Sequence, residues 1–226
     1  MHIYIVQNKR TKHYRLIANK ICHRFMNFSI NNLPPDLVQD MINNHYLTKD
    51  CPVKINRLKL LTVSHYNFDR QISVGQIMVL DKISQAVLDI FKELFLLKFP
   101  IYSIKLLNEF NGSDELSMAA NNSSCFNFRP IAGTKILSMH SYGLAIDINP
   151  MQNPFIVIKN NSKKVTVFPQ QATEFLNRYN QRNGMVESIV GIFKKHGFSE
   201  WGGEWNSPID YHHFQIPRKE VHQLIT

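Results

Sequence analysis

Asn127-Phe-Arg-Pro-Ile-Ala-Gly-Thr-Lys-Ile-Leu-Ser138-Met-His140-Ser-Tyr-Gly143-Leu-Ala-Ile-Asp147-Ile-Asn-Pro150 sets an arginine (Arg129), a histidine and an aspartate into a short run of apolar and small residues. On one continuous strand the odd spacing of His140 and Asp147 would send them to opposite faces. Convergence requires a bend, which Gly143 tolerates. Ala145 permits close backbone approach, while Ile146 and Ile148 point to the core, opposite Asp147. An aspartate framed by Ala and two Ile is a buried carboxylate, and a buried carboxylate requires a metal or a cation. His140 alone would read as a structural histidine; beside Asp147 it reads as a metal ligand.

A second cluster lies near the C-terminus, where Trp201-Gly-Gly-Glu204-Trp205 leads into Asp210-Tyr-His212-His213-Phe-Gln215. Strand alternation separates His212 from His213, so only one enters a shared site from a regular strand, and spacing does not choose between them. Two imidazoles and one carboxylate would leave a fourth position open, the pattern of a catalytic zinc. A carboxylate outside the metal set would handle the proton, and Asp210 and Glu204 compete for that role. Arg129 would hold the developing oxyanion; Phe126 and Phe128 beside it argue against a simple surface ion pair.

The chain has 226 residues, 44% of them hydrophobic and 19% charged, enough for one sizeable core. Of its net charge of +9, +6 falls in the first 25 residues, on Lys9, Arg10, Lys12, Arg15, Lys20 and Arg24. The remaining +3 is too mild to indicate a nucleic-acid partner. The basic arm reads as a solvated tail, with weak contact to a membrane surface or wall polymer as the alternative. No apolar stretch is long enough for a transmembrane helix, and no apolar signal core follows the basic residues. Cys22, Cys51 and Cys125 lack ligand spacing and read as free, mostly packed thiols; the odd count excludes full pairing, and a Cys51–Cys125 bridge in an oxidising compartment is the alternative.

Local patterns predict an α+β fold, with a small central antiparallel sheet flanked by helices. Residues 1–50 read as a basic N-terminal extension and residues 51–226 as the catalytic domain. A short helix is expected from Asp36 to Asn43, a strand buried on both faces up to Tyr66, and a turn at Asn67–Arg70. Ile77–Leu80 is a short apolar run, and Asp81 is the expected cap of a helix whose apolar face carries Ile83, Val87, Ile90, Phe91, Leu94 and Leu97. A strand is expected at Ile101–Leu107, followed by a polar loop through Ser124 that lines a cleft and offers Asn122 and Ser123 to a substrate. Phe155–Ile158 and Val165–Phe168 read as a hairpin. Ala172–Arg178 reads as a short helix. Asn183-Gly184 is a turn, and the helix after it stops at Gly197.

Ser138-Met-His140-Ser-Tyr-Gly143-Leu-Ala145-Ile-Asp147 resembles the S-x-H-x-x-G-x-A-x-D motif of zinc D-alanyl-D-alanine carboxypeptidases and L-alanyl-D-glutamate endopeptidases, the VanY-like group. Asp210-Tyr-His-His213-Phe resembles the second motif of that group, [ED]-x-x-H-F. The resemblance spans roughly Cys51 to Ile216 and implies a VanY/hedgehog-like core. It implies one zinc ion on His140, Asp147 and His213, with Asp210 as general base and acid and Arg129 at the oxyanion. It also implies Ser138 close to the substrate and His212 as a neighbour facing away. Tyr142, Trp201 and Trp205 would shape the groove or pack as core. The expected substrate is a peptidoglycan or muropeptide stem, cut at the terminal D-Ala–D-Ala or the internal L-Ala–D-Glu bond by a monomer. The place of action would be the cell envelope or periplasm, or the cytoplasm given the missing export signal. A non-catalytic, zinc-containing wall-binding module is the alternative function.

Overall fold

The computed structural model describes residues 26–159 and 164–226; the basic arm up to residue 25, with Cys22, lies outside them. The chain opens with strand β1 (Phe28–Asn32) and helix α1 (Pro35–Asn43), which has proline at its first position and buries Met41. β1 pairs antiparallel with β2 (Leu58–Tyr66), Phe28 opposite Val63. Residues 28–43 therefore pack with the domain, although the sequence assigns them to the extension.

β2 pairs antiparallel with β3 (Ile72–Leu80) through the turn at Asn67–Arg70, where Arg70 takes a positive φ. Leu61, Val63, Val79 and Leu80 are fully buried, since this sheet is covered by α2 (Ser84–Leu96). α2 buries Val87, Ile90, Phe91 and Leu94 as its three- and four-residue spacing predicts. Leu97 falls beyond its last turn and is exposed. Asp81 does not cap α2, because its carboxylate accepts two hydrogen bonds from Arg57, at 2.6 and 3.0 Å.

The strand expected at Ile101–Leu107 is only β4 (Ser103–Ile104), and the expected polar loop contains helix α3 (Asp114–Ala119) and strand β5 (Asn122–Ser123). β4 and β5 form a parallel pair. The Ser113 side chain caps α3 by accepting from the Leu116 amide. β6 (Ala145–Asp147) follows the bend at Gly143, and β7 (Phe155–Lys159) and β8 (Lys164–Phe168) form the expected hairpin. Gln170–Phe175 is a 3-10 turn rather than the expected α-helix. Helix α4 (Val190–Lys195) ends at Gly197, which has a left-handed φ. β9 (Glu200–Trp201), β10 (Ile209–Asp210), β11 (His213–Gln215) and helix α5 (Val221–Ile225) complete the order.

The fold is α+β, but the single central sheet of the sequence reading is divided. Three three-stranded antiparallel sheets, β1-β2-β3, β10-β7-β8 and β6-β11-β9, accompany the β4–β5 pair. One core joins them, with Phe193 stacked on Phe214 at 4.0 Å between ring centroids. No helix among the described residues is long and apolar enough to cross a membrane.

Candidate metal centre

The site is built where a 3-10 turn feeds a strand. Ser138 opens the turn Met139–Tyr142 and its Oγ accepts from the His140 amide at 3.3 Å. Gly143 closes it at φ 66°, where a Cβ would lie 2.7 Å from the Leu80 nitrogen. The bend expected from the spacing is thus made by a residue that only glycine fits. It carries the chain into β6, where Asp147 pairs directly with His213 on β11.

His140, Asp147 and His213 meet in the interior, with 3%, 4% and 6% of their surfaces exposed. His140 Nε2 lies 3.2 Å from His213 Nδ1 and 3.1 Å from Asp147 Oδ2. His213 Nδ1 lies 3.0 Å from Asp147 Oδ1. These separations approach about 3.3 Å, the edge of a tetrahedron with zinc–ligand bonds of about 2.0–2.1 Å. The outer ring nitrogens confirm the fit. His140 Nδ1 meets the Cys125 carbonyl at 2.6 Å and His213 Nε2 meets Gln215 Oε1 at 2.8 Å. Both partners are acceptors, so each outer nitrogen carries its proton and each inner nitrogen presents a lone pair. Two lone pairs and a carboxylate facing one point require a cation, so the donor set suits zinc.

Electrostatics follow the same arrangement. Burial alone would raise the Asp147 pKa, but the imidazoles gathered around it, His140, His212 and His213, hold it well below the usual carboxylate range. Burial pushes the neighbouring Cys125 thiol well up, and the Asp147 charge adds to this; Cys125 is not one of the three converging residues. Cys51 and Cys125 are both free, without the bridge weighed from the sequence.

His212 is not turned away as expected. Its Nε2 lies 3.0 Å from Asp210 Oδ1 and 3.9 Å from Asp147 Oδ2. Residue 212 sits between β10 and β11, at the break between two sheets, so strand alternation does not govern it. Burial would lower its pKa; the charges of Asp210 and Asp147 overcome that and push it up to about 10. Asp210 Oδ1 is thus ion-paired with that imidazole and accepts no other hydrogen bond. Its rival Glu204 is exposed at the surface, 2.6 Å from Lys194 Nζ.

The other expected site residues have partners of their own. The Arg129 guanidinium is held by Asp114 on α3 at 2.6 Å. Asn122 spends its amide internally, accepting from Ser103 Oγ and the Lys105 amide and donating to the Lys105 carbonyl and Ser117 Oγ. Ser123 Oγ is fully buried and accepts from the Asn149 amide. Both fasten the β4–β5 pair to the core, because polar groups this deep need internal partners. Tyr142 is half-buried against the core, and Trp201 stacks near Phe214 while donating to the Tyr211 carbonyl. Trp205 reaches the centre, its ring 5.4 Å from that of His213. The glycines before the second motif serve the same region: a Cβ at Gly202 would collide with the Asp210 carbonyl.

Sequence reasoning missed Gln215, Glu200 and Asp114. Gln215 was legible as the residue two positions beyond His213 on the same strand face; Glu200 and Asp114 left no local signal.

His140, Asp147 and His213, in an α+β fold, form a group that could hold one metal ion, a donor set suited to hydrolysis. Residues 132–216 match the family model described as D-alanyl-D-alanine carboxypeptidase. That segment holds Ser138, His140, Asp147, Asp210 and His213, whereas Arg129, Asn122 and Ser123 precede it. No curated protein and no solved structure gives a match to the chain.

Proposed function

We propose that this protein is a zinc peptidase of peptidoglycan stem peptides, cutting an amide next to a D-amino acid within a core of the VanY/hedgehog kind. The convergence of two imidazole lone pairs and a carboxylate in a buried space carries this reading; the peptidase family match over the same residues supports it. His140, Asp147 and His213 would hold one zinc ion. When bound, zinc supplies Lewis acidity toward a carbonyl and acidifies a water to a pKa of about 7.

The chain's own residues do the rest. Asp210 takes a proton on its carboxylate and returns it to the departing nitrogen. His212, held between Asp210 and Asp147, fixes the direction of that carboxylate. Arg129, steadied by Asp114, faces the oxyanion that develops on the substrate. Ser138 keeps His140 in place through its amide, and Trp205 walls the site beside His213. As a wall-peptide enzyme it would act in the cell envelope or periplasm, as a monomer.

Incubating the zinc-loaded protein with defined muropeptides, with a chelated control, tests this by mass analysis. Loss of one D-alanine marks a carboxypeptidase, and cleavage between L-alanine and D-glutamate marks an endopeptidase. Retained wall binding with no released peptide would favour the non-catalytic module.

A further inference from the structure

Sheet β6-β11-β9 presents one face to the metal centre. His213 sits opposite Asp147, and two residues along β11 Gln215 lies between Ala145 on β6 and Glu200 on β9. The period of two puts His213 and Gln215 on this face and sends Phe214 into the core. His213 Nε2 donates to Gln215 Oε1 at 2.8 Å, and Gln215 Nε2 donates to Glu200 Oε2 at 2.5 Å. Ala145, fully buried, leaves space for the amide across the strand.

We propose that Gln215 and Glu200 form a positioning pair that holds His213 in its metal-accepting tautomer. This rests on the zinc-peptidase reading and deepens it by naming what sets one ligand. An ionised carboxylate can only accept, so Glu200 fixes which end of the Gln215 amide carries the donor. The amide then presents its oxygen to His213, which must keep its proton on Nε2. The lone pair is left on Nδ1, the atom that faces His140 and Asp147. A carboxylate at the sheet edge thus determines, through two hydrogen bonds, which ring nitrogen of a buried histidine meets the metal. His140 has a simpler arrangement, because the Cys125 carbonyl can only accept.

The test is zinc affinity, by competition with a chromophoric chelator, together with the visible spectrum of the cobalt-substituted protein. Gln215→Leu should weaken zinc binding about 10–100-fold and shift the cobalt bands. Glu200→Gln, on the edge strand, should weaken it in the same direction and carries the test should Gln215→Leu fail to fold. The exchange Gln215→Glu with Glu200→Gln rebuilds both hydrogen bonds and should restore affinity to within a few-fold of the parent, which a packing role would not do. Unchanged affinity and an unchanged cobalt spectrum in Gln215→Leu or Glu200→Gln would overturn the role while leaving the peptidase reading intact. A parent protein that takes up no zinc overturns the metal reading, and this role with it.

Discussion

Asp147 stays ionised because of its neighbours and not because of water, and this divides the work of the site between residues. In the proposed site His140 binds the ion and Asp210 does not, so their variants should part company. His140→Ala is expected to lose both bound zinc and turnover. Asp210→Asn should keep zinc, measured by elemental analysis, while turnover falls about 10²–10⁴-fold. Near-parental turnover in Asp210→Asn would remove Asp210 from the proton role. His65 offers a second test, away from the centre. Burial pushes its pKa down to about 4, with a hydrogen bond to the Val63 backbone opposing this only in part, and its Nδ1 has no partner. The folded pKa lies below the unfolded value of about 6.5, so the unfolded chain takes up the proton first as pH falls. Stability is complete above about pH 6.5 and should decline between there and pH 4, by about 3 kcal/mol from this group. Denaturant unfolding of the parent and of His65→Gln at pH 7 and 4.5 measures it: their stability difference should change by most of that amount, and parallel curves would refute it.

The turn that delivers His140 is as demanding as the ligands themselves. Gly143→Ala must accept a positive φ and a Cβ pressed on the end of β3. We expect a loss of about 1–3 kcal/mol in unfolding free energy, with zinc affinity lowered because His140 and Asp147 flank the bend. Stability at parental level in a thermal melt would show that the turn relaxes without cost. Elements of this kind explain what was legible in the sequence. α2 and β2 were readable because long runs show their periods, and the motifs around His140 and Asp210 were readable because their spacing is short. β4, β5, β9 and β10 have two residues each, too few to show any alternation, so the partition into several sheets left no trace. Helix α3 was hidden in a run of small polar residues, although Ser113 with Asp114 and Glu115 behind it forms a proper N-terminus. Asn122 and Ser123 were misread for the same reason: polarity alone does not distinguish a groove wall from an internal fastening.

At the scale of the molecule the three candidate ligands come from two distant parts of the chain, His140 and Asp147 on one side and His213 on the other. An ion that binds only the folded form stabilises the whole domain. Zinc in hundredfold excess over its dissociation constant should add about 2.7 kcal/mol, raising Tm by about 5–10 °C. His140→Ala should show no such rise, and a parent melt indifferent to zinc would contradict the site. Asp210 and His213 stand three positions apart in sequence, yet Asp210 belongs to the sheet of the β7–β8 hairpin and His213 to the sheet with Asp147. The ion's grip and the proton's carrier are thus mounted on separate platforms. Changes within β7 or β8 should tilt the carboxylate without moving the proposed ligands, so strand variants offer a means of retuning pH profile or substrate preference at constant zinc affinity.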